Sequence, residues 1–120
     1  MKKLVFYSYS KCSTCRKALN WLEKKGFEFQ LKDIMDQPPS KKYLDIALKQ
    51  FSHEKKRIFN TRGKSYNLID FDINQASNEE IIKLLSSDGK LIKRPFLIYE
   101  EKIVLLGFNE NDYINLLLKI

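Results

Sequence analysis

Cysteine and histidine, the usual ligands of structural zinc, are scarce in this chain: two cysteines, Cys12 and Cys15, and one histidine, His53. A structural zinc site takes four ligands, so these three residues fall short of closing one within the chain. No apolar run approaches the roughly 18 residues of a membrane-spanning helix. Glycine and proline are few, four and three in 120 residues, and no tract is of low complexity, so no disordered linker is expected. The charged start, Met1-Lys2-Lys3, leads into an apolar stretch too short for a secretory signal, with polar residues after it in place of a small-residue cleavage site. The expectation is a cytoplasmic, monomeric protein with no membrane partner, in a compartment where thiols stay reduced and a disulfide is catalytic or sensory. The length predicts one domain over residues 1–120, with enough chain to bury a core.

Acidic residues are under-represented in the first half only. Residues 1–60 carry 14 Lys/Arg against 6 Asp/Glu, a net +8, whereas residues 61–120 carry 8 against 9, a net −1. The positive half holds both cysteines, which favours anionic partners such as an oxyanion, glutathione or an acidic protein surface. The lysines come in scattered pairs rather than in one stripe interleaved with aromatics, so direct nucleic-acid binding is not expected.

The two thiols stand two residues apart in Cys12-Ser13-Thr14-Cys15-Arg16-Lys17. This stretch follows an apolar run, Leu4 to Tyr9, and opens an amphipathic one, Ala18 to Lys25. Strand, Cys-x-x-Cys and helix in this order read as a redox motif. The competing reading is a pair of buried structural thiols acting as small apolar side chains. A thiolate at a helix N-terminus is stabilised by unpaired backbone N–H groups and the positive end of the helix dipole, and such cysteines titrate at roughly 3.5–7.5. Cys12 is the candidate nucleophile, nearest those N–H groups. Cys15, one turn further in, is the candidate resolving thiol. Lys11 and Arg16 flank the motif as candidates for lowering the Cys12 pKa or binding an anion.

Along the chain, Leu4–Tyr9 suits a strand, and Cys15, Ala18, Leu19 and Leu22 mark a helix that Gly26 stops. Phe27, Phe29 and Leu31 alternate with polar residues, which predicts a strand with one buried face parallel to the first. Residues 1–35 thus read β-α-β. Ser40 caps a helix carrying Tyr43, Leu44, Ala47, Leu48 and Phe51, and Ser77-Asn78-Glu79-Glu80 is a capping box before Ile81 and Leu85. Residues 36–90 are therefore a helical insert. Phe96–Tyr99 and Ile103–Leu106, joined by Glu100-Glu101-Lys102, form a hairpin, and a last helix starts at Asn109–Asp112, so 91–120 reads β-β-α. The order predicts an α/β fold: a thioredoxin-like, glutaredoxin-type mixed sheet with a helical insertion.

Pro95 lacks an N–H to give a sheet and belongs at the start of its strand. A thioredoxin-type fold places a cis-proline here, facing the cysteine loop; a trans-proline strand cap is the alternative. Arg94 would then stand near Cys12, to bind an anion or stabilise the thiolate. Arg62, on a Thr-Arg-Gly turn, is a further candidate cation. His53 lies in a polar loop and is assigned no role.

These motifs together resemble the arsenate reductase/Spx family, a branch of the thioredoxin-fold superfamily related to glutaredoxin. The matching stretches are Cys12-Ser-Thr-Cys15-Arg16-Lys17-Ala18 with Trp21-Leu22, Asn60-Thr61-Arg62-Gly63-Lys64-Ser65-Tyr66, Leu91-Ile92-Lys93-Arg94-Pro95 and Gly107-Phe108-Asn109-Glu110. The resemblance implies a nucleophilic Cys12, Arg94 at the active site, no bound cofactor, and glutathione, thioredoxin or glutaredoxin as reductant. Glutaredoxin-linked arsenate reductases hold the oxyanion with three arginines and carry a histidine shortly before the cysteine. Here Arg94 matches one arginine, while Asn60, Gly107 and Ser8 stand at the other expected positions. The Spx branch is a transcriptional regulator switched by a Cys-x-x-Cys disulfide and bound to the RNA polymerase α subunit. Cys15 and Arg62 are similar to that branch, but the Ser52-His53-Glu54-Lys55 loop lacks its glycine. The resemblance thus implies an arsenate reductase-like thiol–disulfide oxidoreductase acting on a small thiol, an anionic substrate or a protein disulfide. Its alternative is a redox-sensing regulator.

Overall fold

Four strands, β1 (Leu4–Ser8), β2 (Gln30–Asp33), β3 (Phe96–Tyr99) and β4 (Ile103–Leu106), form a mixed sheet in the order β2-β1-β3-β4. The computed structural model describes residues 2–118. The last two residues of the predicted 91–120 segment lie outside them. β1 pairs with β2 in parallel and with β3 antiparallel, and β3–β4 is the predicted hairpin. Its turn puts Glu100 and Glu101 at φ of 52° and 54°, a left-handed pair that matches hairpin twist. Glu101 pairs there with Lys3 at 2.6 Å and with Lys42.

Alternation along β1 and β3 sorts the core into two layers. Leu4, Phe6, Leu97 and Tyr99 face one side of the sheet, where α1 (Ser13–Lys24) supplies Ala18, Trp21 and Leu22 and Tyr113 closes the cluster. Val5, Tyr7, Phe96 and Ile98 face the other side. There α2 (Lys41–Gln50) contributes Tyr43, Leu44, Ala47 and Leu48. The insert continues through a short α3 (Lys64–Asn67) to α4 (Asn78–Ser87), which adds Ile81 and Leu85. The chain ends in α5 (Glu110–Tyr113), continued by a wider turn over Ile114–Leu118. This is the thioredoxin-like α/β arrangement, with helices on both faces of the sheet and an insert that is helical as predicted. No helix among the described residues is long and apolar enough to cross a membrane.

Local chemistry sets the ends of these elements. Ser40 Oγ accepts the Tyr43 N–H, and Ser77 with Glu80 forms the complete capping box. After α1, Gly26 adopts φ +76°, its N–H donating to the Glu23 carbonyl and the Phe27 N–H to the Leu22 carbonyl. That is a Schellman stop, which favours glycine. The β2 expectation needs correcting. The strand begins at Gln30, Phe27 and Phe29 are half-buried ahead of it, and Leu31 is 56% exposed. β2 is an edge strand, so the helical layer that covers Phe6 does not extend over Leu31 across from it. The opposite edge is covered by a side chain. Gln50 Nε2 donates to the Val104 carbonyl at 2.9 Å and its Oε1 accepts the Val104 N–H at 2.8 Å, occupying backbone groups that a further strand would use.

The strip leading to β3 is held by backbone packing. Asn60 N–H donates to the Leu91 carbonyl and Lys93 N–H to the Ile58 carbonyl, around an isolated Phe59–Ile92 bridge. Gly89, which opens this strip, lies so close to the end of β2 that a Cβ there would sit 2.2 Å from the Ile34 carbonyl oxygen.

Candidate active site

β1 delivers the chain to a tight loop. The Cys12 N–H donates to the Tyr9 carbonyl at 3.1 Å, and Cys12, in an extended conformation, becomes the N-cap of α1. Its Sγ accepts the Cys15 N–H at 3.3 Å. The sulfur therefore does what a serine or aspartate oxygen does at most N-caps, and a thiolate does it with a full charge at the positive end of the helix. Cys12 is half-buried, and Cys15, on the inner face of α1, is fully buried.

The Arg94–Pro95 peptide is cis, and the Arg94 guanidinium lies over the Tyr9 ring at 5.3 Å, beside Cys12. Burial pushes the Cys12 thiol up. Hydrogen bonds from the Cys15 thiol and backbone N–H, with the hydrogen bond and charge of Arg94, outweigh it and hold Cys12 below the ordinary thiol value. Cys15 moves the other way, to about 11, first because it is buried and then because it donates to Cys12; the Tyr9 backbone and the Ser8 hydroxyl offset part of this. The pair is thus divided into a more acidic thiol facing solvent and a less acidic one behind it.

The structure brings together Cys12, Cys15 and Arg94, and Pro95 follows Arg94 across the cis bond. Arg16 is turned away from the sulfur, its Nη1 donating to the Ser10 carbonyl at 2.8 Å, which ties down the cysteine loop. Lys11 and Arg62 are exposed and make no ion pair or side-chain hydrogen bond among the described residues. Of the three cations the sequence offered for lowering the thiol, Lys11, Arg16 and Arg94, Arg94 is the one that acts on Cys12. Tyr9 was not singled out from the sequence, although it accepts the Cys12 N–H and carries the Arg94 guanidinium; its place between strand and motif was the only signal. Tyr113, fully buried, donates its hydroxyl to the Gly107 carbonyl at 3.2 Å. Burial first, and the nearby Cys15, hold its phenol well above the usual range.

A consequence for stability follows from the raised groups. Cys15 titrates at about 11 against an ordinary 9.0, and buried Tyr7 at about 12 against 10.0. The folded state keeps these protons after the unfolded chain has lost them, so their stabilisation is complete below pH 9 and is lost as pH rises from 9 towards 12. The melting temperature of the reduced protein should fall across that window, and less steeply in Cys15→Ala. A flat profile up to pH 11 would contradict the assignment.

Residues 7–116 match the ArsC family. The chain is 41% identical over 112 residues to YusI of Bacillus subtilis, an uncharacterised protein, covering 92% of this chain and 94% of that one. It is 35% identical over 101 residues to the global transcriptional regulator Spx of Streptococcus mutans, covering 84% and 73%. The crystal structure of a possible arsenate reductase from Streptococcus mutans superposes with a TM-score of 0.83 at 40% identity, covering 91% and 95% of the two chains.

Proposed function

The chain belongs to the ArsC family, and on that premise we propose that it is a thiol–disulfide oxidoreductase in which Cys12 is the nucleophile and Cys15 the resolving thiol. The observation that carries this reading is the Cys12 sulfur seated as the α1 cap, with Arg94 beside it and a protonated Cys15 behind it. The Cys12 thiolate attacks one sulfur of a substrate disulfide. A Cys12 mixed disulfide forms and the other sulfur leaves as a thiolate, which Arg94 stabilises. Cys15 then gives up its proton to the departing thiolate and attacks Cys12. The second thiolate is expelled and a Cys12–Cys15 disulfide remains, to be reduced by glutathione or by a thioredoxin- or glutaredoxin-type dithiol. The thiols of one helical turn lie within disulfide reach.

Arsenate reduction fits these residues less well. Asn60 directs its side-chain amide to the Lys90 carbonyl at 3.4 Å, and the space beside Gly107 is taken by the Lys93 stem. Among the described residues Arg94 is then the one cation acting on the sulfur, and replacing bidentate guanidinium groups by an amide and a hydrogen atom weakens oxyanion binding. Mild oxidation should give a monomer lighter by two hydrogens, with turnover of a glutathionylated peptide and little glutathione- and glutaredoxin-coupled arsenate turnover. Stable sulfinic acid on Cys12 in place of a disulfide would remove Cys15 from its role. The identity to Spx favours a second reading, a redox-switched regulator that contacts the polymerase α subunit. Calorimetric titration with the α C-terminal domain separates the two, and sub-micromolar affinity (Kd below about 1 μM, beyond −8 kcal/mol) would favour the regulator.

A further inference from the structure

Tyr9 meets each of the three reactive groups of the site. Its carbonyl accepts the Cys12 N–H at 3.1 Å, its backbone acts on the Cys15 thiol, and its ring carries the Arg94 guanidinium at 5.3 Å. We propose that Tyr9 is a positioning residue, its ring face anchoring the Arg94 guanidinium beside the Cys12 sulfur without neutralising the charge that the sulfur uses. This role rests on the exchange reading above for its reaction, and on the geometry of the site alone for the state of the thiol.

Arg94 needs an anchor of a particular kind. Its side chain is long and half-buried, and a guanidinium free to change rotamer spends little of its time at one sulfur. A carboxylate would fix it but cancel its charge, and no carboxylate pairs with Arg94 among the described residues. An aromatic face attracts a guanidinium through the ring quadrupole and leaves its net charge intact. The 5.3 Å separation lies within the roughly 6 Å over which that attraction acts.

The fold sets the two side chains against each other. Tyr7 pairs with Phe96 in the antiparallel register of β1 and β3. Continuing that register by two residues brings Tyr9 opposite Arg94, a cross-strand pair just beyond the end of the sheet. The ring is itself held: Tyr9 is half-buried and packs against the core layer that contains Tyr7 and Phe96. The surrounding groups offer no substitute for this anchor. Cys12 is faced by Cys15 from α1 and by Arg94 from the strip before β3. Ser8, at the end of β1, and Tyr113, on α5, lie by Cys15. Arg16 is held by the Ser10 carbonyl, and Lys11 is exposed.

The test follows iodoacetamide labelling of Cys12 against pH on the reduced full chain, with the label located by mass spectrometry. Every Tyr9 variant keeps the backbone carbonyl that accepts the Cys12 N–H, so a change reports on the ring. Tyr9→Leu should raise the labelling midpoint by about half a pH unit, roughly threefold in the ionisation constant, the scale of a cation–π contact near the surface. Tyr9→Phe keeps the ring and should match wild type. Tyr9→Met, similar in reach and without an aromatic face, gives the same reading as Tyr9→Leu should the latter prove unstable. Added to Arg94→Gln, Tyr9→Leu should move the midpoint no further, because the ring acts through the guanidinium. A merely structural role would raise the midpoint equally with and without Arg94, and that result overturns the proposal. So does a midpoint unmoved in both Tyr9→Leu and Tyr9→Met. Turnover of a glutathionylated peptide should fall in Tyr9→Leu and return in Tyr9→Phe. If wild type turns over no disulfide while the midpoint still follows the ring through Arg94, the positioning role stands and the exchange reading falls.

Discussion

Cys12→Ser should lower disulfide exchange by at least about a thousandfold, the scale on which removing a nucleophile acts. The serine can still cap α1, because its hydroxyl accepts the Cys15 N–H as the sulfur does. Folding should therefore survive and the loss should be chemical. Cys15→Ser should behave differently: the first attack proceeds, no internal thiol resolves it, and the substrate accumulates as a mixed disulfide on Cys12. Mass spectrometry after incubation with a glutathionylated peptide distinguishes the two variants by the adduct that only Cys15→Ser retains. Comparable activity in Cys12→Ser and wild type would mean that the thiol is not the reacting group.

The largest expected effect on stability is at Gly89. A Cβ there would meet the Ile34 carbonyl oxygen at 2.2 Å and its carbon at 2.9 Å, backbone against backbone, with no flexible side chain able to yield. Overpacking costs typically 1–3 kcal/mol and more where nothing can move, so Gly89→Ala should lose about 3 kcal/mol. For a chain of this length that is a melting temperature lower by roughly 10 °C. Gly26→Ala supplies the comparison. Its φ of +76° is disfavoured for alanine, but nothing lies within 4 Å of the added carbon, so the expected cost is about 1 kcal/mol. Thermal denaturation of both variants checks the difference. Equal losses would mean that the strip can shift at Gly89, and with it the anchoring of Lys93 and Arg94.

Much of this architecture was legible from local pattern. The strand, Cys-x-x-Cys and helix of residues 4–24, the Ser40 cap and the Ser77–Glu80 capping box each depend on neighbours within four positions, where spacing and side-chain chemistry suffice. The features that eluded the sequence depend on distant partners. Leu31 alternates like a buried strand residue, and its exposure follows from β2 lying at an edge. Gln50 is a solvent-facing helical residue by its pattern, and only the fold brings it 54 positions along the chain to the free backbone of Val104. The side-chain partner of Arg16, the Ser10 carbonyl, was likewise out of reach of the sequence, whereas Arg94, 82 positions from Cys12, was expected beside the thiol from its place before Pro95, and the antiparallel pairing of β1 and β3 aligns the two.

The account turns on Cys12 being ionised by its surroundings. The direct measurement is a pH titration of thiolate absorbance for wild type, Cys15→Ala and Arg94→Gln. Wild type should show one thiolate forming below the ordinary thiol value of 9.0 and a second near 11. Cys15→Ala should lose the upper step and, with the Cys15 thiol no longer donating to the sulfur, shift the lower one upward. Arg94→Gln should also move the lower step up, since the carboxamide keeps a donor but no charge. A Cys12 midpoint at or above 9.0 in wild type, unmoved by Arg94→Gln, would contradict the account.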